Sequence, residues 1–232
     1  IYQRAGDKYG VGDVHVSLGH WYLDRGDTDG AEQHFKEYLK VSKEERGTPG
    51  DLMYAHFALG ILYEQKGEYE SAVAHYEKYI DTASDLDHLW ELAQGRLYLG
   101  YVLAEKDNLE RAQREVDEAL EILEGLTDSV DITRDKNMGR LVTGIIMYKK
   151  GEYGKALEQI SEGIATAEEY GPTELVEFRV WKARVLEKMG REQEALKEFD
   201  AAYGILKQLG SENRRIAKEV VHNRRTLVET AK

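Results

Sequence analysis

The chain contains no cysteine and only two prolines in 232 residues. The first absence excludes a disulfide framework and a thiolate metal site. The second leaves room for long, unbroken helices. Apolar runs are short, and none approaches the roughly 20 residues that a membrane-crossing helix needs. No signal-peptide pattern is present at the start, which reads Ile1-Tyr2-Gln3. These absences permit a reducing compartment, and a cytoplasmic location is the expectation. Positive charge is also scarce: 32 Lys and Arg stand against 44 Asp and Glu, a net charge of −12. That argues against a general nucleic-acid binder, because phosphate neutralisation needs a basic face.

Groupings that carry chemistry are missing too. The seven histidines are His15, His20, His34, His56, His75, His88 and His222. No two of them stand at the four-residue spacing of a helical zinc motif. No glycine-rich phosphate loop occurs. Carboxylates such as Asp117, Glu118, Glu121 and Glu124 read as solvated helix faces. The expectation is a non-enzyme with no metal and no cofactor.

What the chain does have is self-similarity. Leu18-Gly19, Tyr22, the Gly26-Asp27 turn, Ala31 and Phe35 return as Leu59-Gly60, Tyr63, Gly67-Glu68, Ala72 and Tyr76. They return again as Leu99-Gly100, Leu103, Asp107-Asn108, Ala112 and Val116. Weaker copies run through Gly144, Met147, Gly151, Ala156 and Ile160, and through Ala183, Leu186, Gly190, Ala195 and Phe199. The alanines step by 41, 40, 44 and 39 residues, so this is a repeat array. Leu18 and Tyr22 share one face of a first helix, and Gly19 beside them lets a second helix approach closely. Gly26 ends the first helix, where a left-handed residue is needed. Ala31 and Phe35 repeat the four-residue spacing on the second helix. Such a hairpin cannot bury its apolar face alone and must stack on its neighbours.

On these residues the sequence resembles the tetratricopeptide repeat family over roughly residues 12 to 209. It departs in detail: the tryptophan slot holds His15, His56, Arg96, Arg140 and Arg179, the closing proline is absent, and the period is near 40 rather than 34. The resemblance implies an all-α fold, a right-handed α-solenoid of about five hairpins with a C-terminal capping helix. Residues 1–11 are expected to end a preceding repeat or linker, 12–210 to form the five hairpins, and 211–232 the cap. First helices are expected near 12–25, 51–66, 86–106, 133–150 and 173–189. Second helices are expected near 28–44, 69–83, 109–124, 153–169 and 192–209. Breakers mark the linkers at Gly47-Thr48-Pro49-Gly50, Ser84-Asp85 and Gly171-Pro172. Asp85 is a candidate N-cap for an early start of the third first helix, and 125–135 is the longest connection.

The resemblance also implies non-catalytic protein–protein interaction, as a scaffold or adaptor that holds a peptide or amphipathic helix in a concave groove. The alternative is the sensor or oligomerisation region of a larger regulator. First helices would line the groove, with side chains three residues before and one after each glycine slot turned inward. Candidate partner-binding residues are His20, Tyr54, Phe57, Ile61, Tyr98, Tyr101, Leu141, Ile145, Trp181 and Arg184. The competing reading makes these side chains core, because longer first helices pack more deeply. Chaperone-binding relatives hold a carboxylate in a clamp of Lys, Asn and Arg. Here Val16, His20, Ala58, Gln94 and Tyr98 take the matching places, so that function is not expected. An apolar partner segment carrying Lys or Arg suits the chain's acidity. The expected partners are therefore proteins or peptides, with no nucleic acid, no membrane span and a homo-oligomer possible. In the final segment, Ser211 reads as an N-cap. Ile216, Val220 and Leu227 form one stripe, and Ala217, Val221 and Val228 a second beside it. Six bases against three acids there allow a cap or a basic docking arm.

Overall fold

The computed structural model describes residues 8–44, 47–210 and 215–230. Eleven helices and no strand occur among the described residues. The first helices are α1 (Lys8–Asp24), α3 (Pro49–Lys66), α5 (Leu89–Glu105), α7 (Val130–Lys149) and α9 (Pro172–Lys188). The second helices are α2 (Thr28–Ser42), α4 (Tyr69–Asp85), α6 (Leu109–Glu124), α8 (Tyr153–Tyr170) and α10 (Glu192–Gln208). A final helix, α11, spans Arg215–Thr230. Each helix packs on its neighbours in the chain, which is the arrangement of an α-solenoid. The first helix starts earlier than expected, at Lys8. The proposed end of a preceding repeat falls mainly on residues 1–7, outside the described residues, as does the Ser211 cap.

The glycine slot controls how closely each hairpin closes. A Cβ on Gly60 would lie 2.5 Å from Tyr76 Cε1, and one on Gly100 2.9 Å from Val116 Cγ2. Both rings and branched side chains therefore sit directly against helix backbone. The turn between helices needs a left-handed residue, which Gly67 supplies at φ 73°. In the third hairpin Asp107 takes the same place at φ 59°.

Two further boundaries differ from expectation. Asp85 is the last residue of α4, not the cap of α5. Asp87, at φ 55°, turns the chain, and the amide of His88 donates back to Ala83 O at 2.9 Å, so α5 cannot begin before Leu89. In the longest connection, Ser129 accepts from Ile132 N, which starts α7 three residues earlier than expected. At α3, Thr48 and Asp51 form a reciprocal capping box with Pro49 in the first turn.

The core runs as a chain of clusters along the stack. One large cluster joins Tyr76, Leu97, Val102 and Leu123 to Leu141, Ile160 and Phe178. Another joins Val180 and Phe199 to Val220 and Leu227 of the final helix. Ala217, Val220 and Leu227 are buried, whereas Val221 and Val228 are exposed. The inward face thus draws from both expected stripes. Arg184 of α9 donates to Glu219 at 2.9 Å, and Arg224 pairs with Asp200 at 2.6 Å, so one acid and one base of α11 hold it to the fifth hairpin.

Candidate binding groove

Beyond chain neighbours, the helix pairs with the most contact are first helices with first helices: α1 with α3, α5 with α7, and α7 with α9. Successive second helices make no comparable approach. First helices therefore lie on the inner side of the stack and second helices on the outer side. A cavity of about 150 Å³ opens on this inner side. It is bounded entirely by first helices: α3 gives Glu64, α5 Tyr98, α7 Arg134 to Leu141, and α9 Glu174, Glu177 and Phe178.

Its walls are apolar, made by Tyr98, Met138, Leu141 and Phe178. Its polar groups are four carboxylates, Glu64, Asp135, Glu174 and Glu177, with Arg134 and Asn137. Asp135 is 6% exposed and accepts a 2.7 Å hydrogen bond from Trp90 Nε1. Burial pushes its carboxyl up to about 6, against the lowering effect of the indole N–H. Glu64 accepts from the buried Tyr76 hydroxyl at 2.9 Å. Arg134 Nε lies 3.1 Å from Glu174 Oε1, an ion pair without hydrogen-bond geometry, so one carboxylate is neutralised locally by charge alone. Burial, followed by the charges of Glu64, Glu177, Asp135 and Glu174, raises the Tyr98 hydroxyl. Asn137 is 3% exposed; its Nδ2 donates to Gly163 O at 3.0 Å, while its Oδ1 has no partner. Only the NH₂ end can donate to a carbonyl, so the amide orientation is fixed by chemistry.

The ten sequence-predicted groove residues divide. Tyr101, Leu141, Ile145 and Trp181 are buried core, and the competing reading holds for them. The cause is the length of α7 and its contacts with both α5 and α9, which cover these side chains. Leu141 still reaches one wall of the cavity. Tyr54 is 42% exposed, His20 is exposed, and Phe57, Ile61 and Tyr98 are half-buried. Phe57 meets Tyr98 edge to face at 5.0 Å, a geometry that favours aromatic pairs. Tyr54 donates to Glu91 at 3.0 Å. Arg184 is half-buried, stacked 4.0 Å over Trp181 and paired with Glu219, so α11 occupies that end of the inner surface. Sequence reasoning missed Asp135 and Asn137. Asn137 falls seven residues before its glycine slot, where the other hairpins hold buried Met53, Ala93 and Val176. A lone polar residue in an apolar slot was the available signal. Asp135 falls nine before, where Asp51, Glu91 and Glu174 are also acidic.

Among the described residues, no three histidine, aspartate or glutamate side chains group as a metal site. No helix there is long and apolar enough to cross a membrane.

Residues 10–85 match the family model described as a tetratricopeptide repeat. No curated protein matches the chain in sequence. Several solved structures are similar in fold. The Rap conjugation gene regulator of the plasmid pLS20, in complex with the Phr* peptide, is 18% identical with a TM-score of 0.74, covering 90% of this chain and 56% of that one. BtubC from P. vanneervenii is 20% identical with a TM-score of 0.61, covering 88% and 84%. A thermophilic TPR protein of Thermus thermophilus, TTC0263, is 19% identical with a TM-score of 0.60, covering 94% and 99%. The chain thus spans little more than half the length of the Rap regulator.

Proposed function

For a chain that is a tetratricopeptide-like repeat array, we propose a non-catalytic interaction module that holds an extended or helical peptide segment along its first helices. The observation that carries this is the inner surface itself. An aromatic strip, exposed Tyr54 with half-buried Phe57 and Tyr98, leads into a cavity walled by four successive first helices. Aromatic anchors beside a pocket are the usual energetic centre of peptide recognition. The peptide-bound state of the similarly folded Rap regulator supports the reading. Its greater length supports a second one, in which this array is the sensing part of a larger regulator.

The test is selection of peptides from a displayed random library on the whole chain, followed by titration against a Phe57→Ala, Tyr98→Ala double variant of preserved helicity. Each truncation should cost on the order of 2 kcal/mol, about thirtyfold in affinity. Tyr101 is left intact in this experiment, since it is buried and its loss would damage the core. Peptides bound equally by both proteins would place the interaction on another surface.

A further inference from the structure

We propose that the cavity among α3, α5, α7 and α9 is a specificity pocket for one basic side chain, lysine or arginine, of the bound segment. At about 150 Å³ it is smaller than the roughly 300 Å³ at which pockets for whole small molecules begin. A single side chain is the matching occupant. Met138, Leu141, Phe178 and the Tyr98 ring offer an apolar sleeve for methylenes, and the carboxylates gather at the same cavity. Four carboxylates face one guanidinium, and that guanidinium is already paired with Glu174.

An acidic cluster alone would not make a site. The independent observation is Asn137. It is almost wholly buried, its amide N–H end is consumed by Gly163 O, and its Oδ1 remains without a partner. A buried acceptor left unpaired is costly, and an ammonium or guanidinium donor supplies what it lacks. Asp135, on the same cavity, is also buried and accepts a hydrogen bond from Trp90 Nε1 at 2.7 Å. Burial raises its carboxyl to about 6, a cost that an arriving cation relieves. The pocket therefore has the opposite polarity to a clamp that grips a peptide's terminal carboxylate.

The inference rests on the groove reading, and the experiment separates the two. Peptides selected from the library are titrated against the wild type, Phe57→Ala/Tyr98→Ala, and Glu174→Gln/Glu177→Gln. The selected peptides are expected to share one Lys or Arg. Replacing it with norleucine should weaken binding to the wild type at least tenfold, yet binding to Glu174→Gln/Glu177→Gln less than threefold. Peptides that need Phe57 and Tyr98 but share no base, or lose affinity equally for both proteins, overturn the pocket and leave the groove standing. Peptides indifferent to Phe57 and Tyr98, or no peptide at all, overturn the groove reading. A second measurement needs no acidic variant. The Trp90 indole N–H signal, which reports on Asp135, should shift with n-butylguanidinium and not with n-butanol; equal shifts or none overturn the pocket. Butylguanidinium bound as tightly as the peptides would assign the site to a free small cation and overturn the peptide source.

Discussion

Where the second hairpin sets His56 against His75, the third sets Arg96 against Glu115. Each pair is separated by 19 residues and joins a first helix to its second helix. The imidazoles meet Nδ1 to Nδ1 at 2.9 Å, and the guanidinium meets the carboxylate at 2.6 Å. The first hairpin repeats the imidazole version with His15 and His34 at 2.9 Å. The fifth repeats the ionic version with Arg179 and Glu198 at 2.7 Å. Tyr22 stacks on His34 and Tyr63 on His75, so even the third ring is copied. In these four hairpins the position carries a polar bridge, and two chemistries supply it. They differ in what acid does to them. A contact between two Nδ1 atoms works only if one donates and the other accepts, so the pair cannot hold both imidazoles protonated. An Arg–Glu bridge stays charged until the carboxylate titrates.

The largest expected difference is therefore in pH response. Burial first, and neighbouring positive groups next, lower His56 and His75 to about 4. Above the unfolded value near 6.5 neither state is protonated, and the pair contributes no pH dependence. As pH falls from 6.5 towards 4, the unfolded chain takes up protons that the folded chain refuses, and stability drops. Taken at full value the two shifts amount to about 7 kcal/mol; solvent screening of the partly exposed rings reduces the loss to the order of 3 kcal/mol. Urea midpoints between pH 7 and 5 should fall more steeply for the wild type than for His56→Arg/His75→Glu, which carries the third hairpin's bridge into the second. Parallel pH profiles would break the comparison.

Next in size is the close approach that both hairpins share. A methyl at Gly60 meets the Tyr76 ring, whereas one at Gly100 meets a methyl of Val116 at 2.9 Å and the Ala112 carbonyl oxygen at 3.3 Å. Gly60→Ala should destabilise by about 2 kcal/mol through overpacking. Gly100→Ala should cost less, about 1 kcal/mol, because the helix preference for alanine offsets part of the clash. Adding Tyr76→Val to Gly60→Ala should recover part of the loss in a denaturation cycle. Equal costs at both glycines would mean the facing side chain does not set the spacing.

Asp135 in the fourth hairpin runs against the histidines. Its folded value, raised to about 6, makes its charge a burden above pH 6 that is relieved as pH falls towards the unfolded carboxylate range. Asp135→Asn should raise the melting point at pH 7, by on the order of 2 kcal/mol in stability, since the indole of Trp90 still finds an acceptor. Under the pocket proposal it should also weaken binding of the basic peptide, the familiar opposition between stability and function. A lower melting point would make Asp135 a structural anchor.

The smallest effect lies in the turns. Asp107 adopts a left-handed conformation that Gly67 provides without strain. Asp107→Gly should stabilise by up to about 1 kcal/mol, less the value of the exposed 2.9 Å ion pair with Lys149.

The recurring Leu-Gly and Ala-x3-aromatic skeleton was enough to determine five hairpins, their pairing and most helix ends. These features are local: a four-residue period chooses a face, and a glycine permits one close contact. The inner side of the stack was legible in part, because Phe57 and Tyr98 lie off the face that Leu59 and Leu99 fill. Depth of burial was not legible, since Tyr101 and Trp181 are covered by helices from other hairpins. The acidic cavity belongs wholly to the tertiary structure. Glu64, Tyr98, Asp135 and Glu177 are scattered over more than a hundred residues and meet only when four first helices stack. Repeat spacing says which residues face inward; the curvature and separation of stacked hairpins decide whether they close on one another or leave a space.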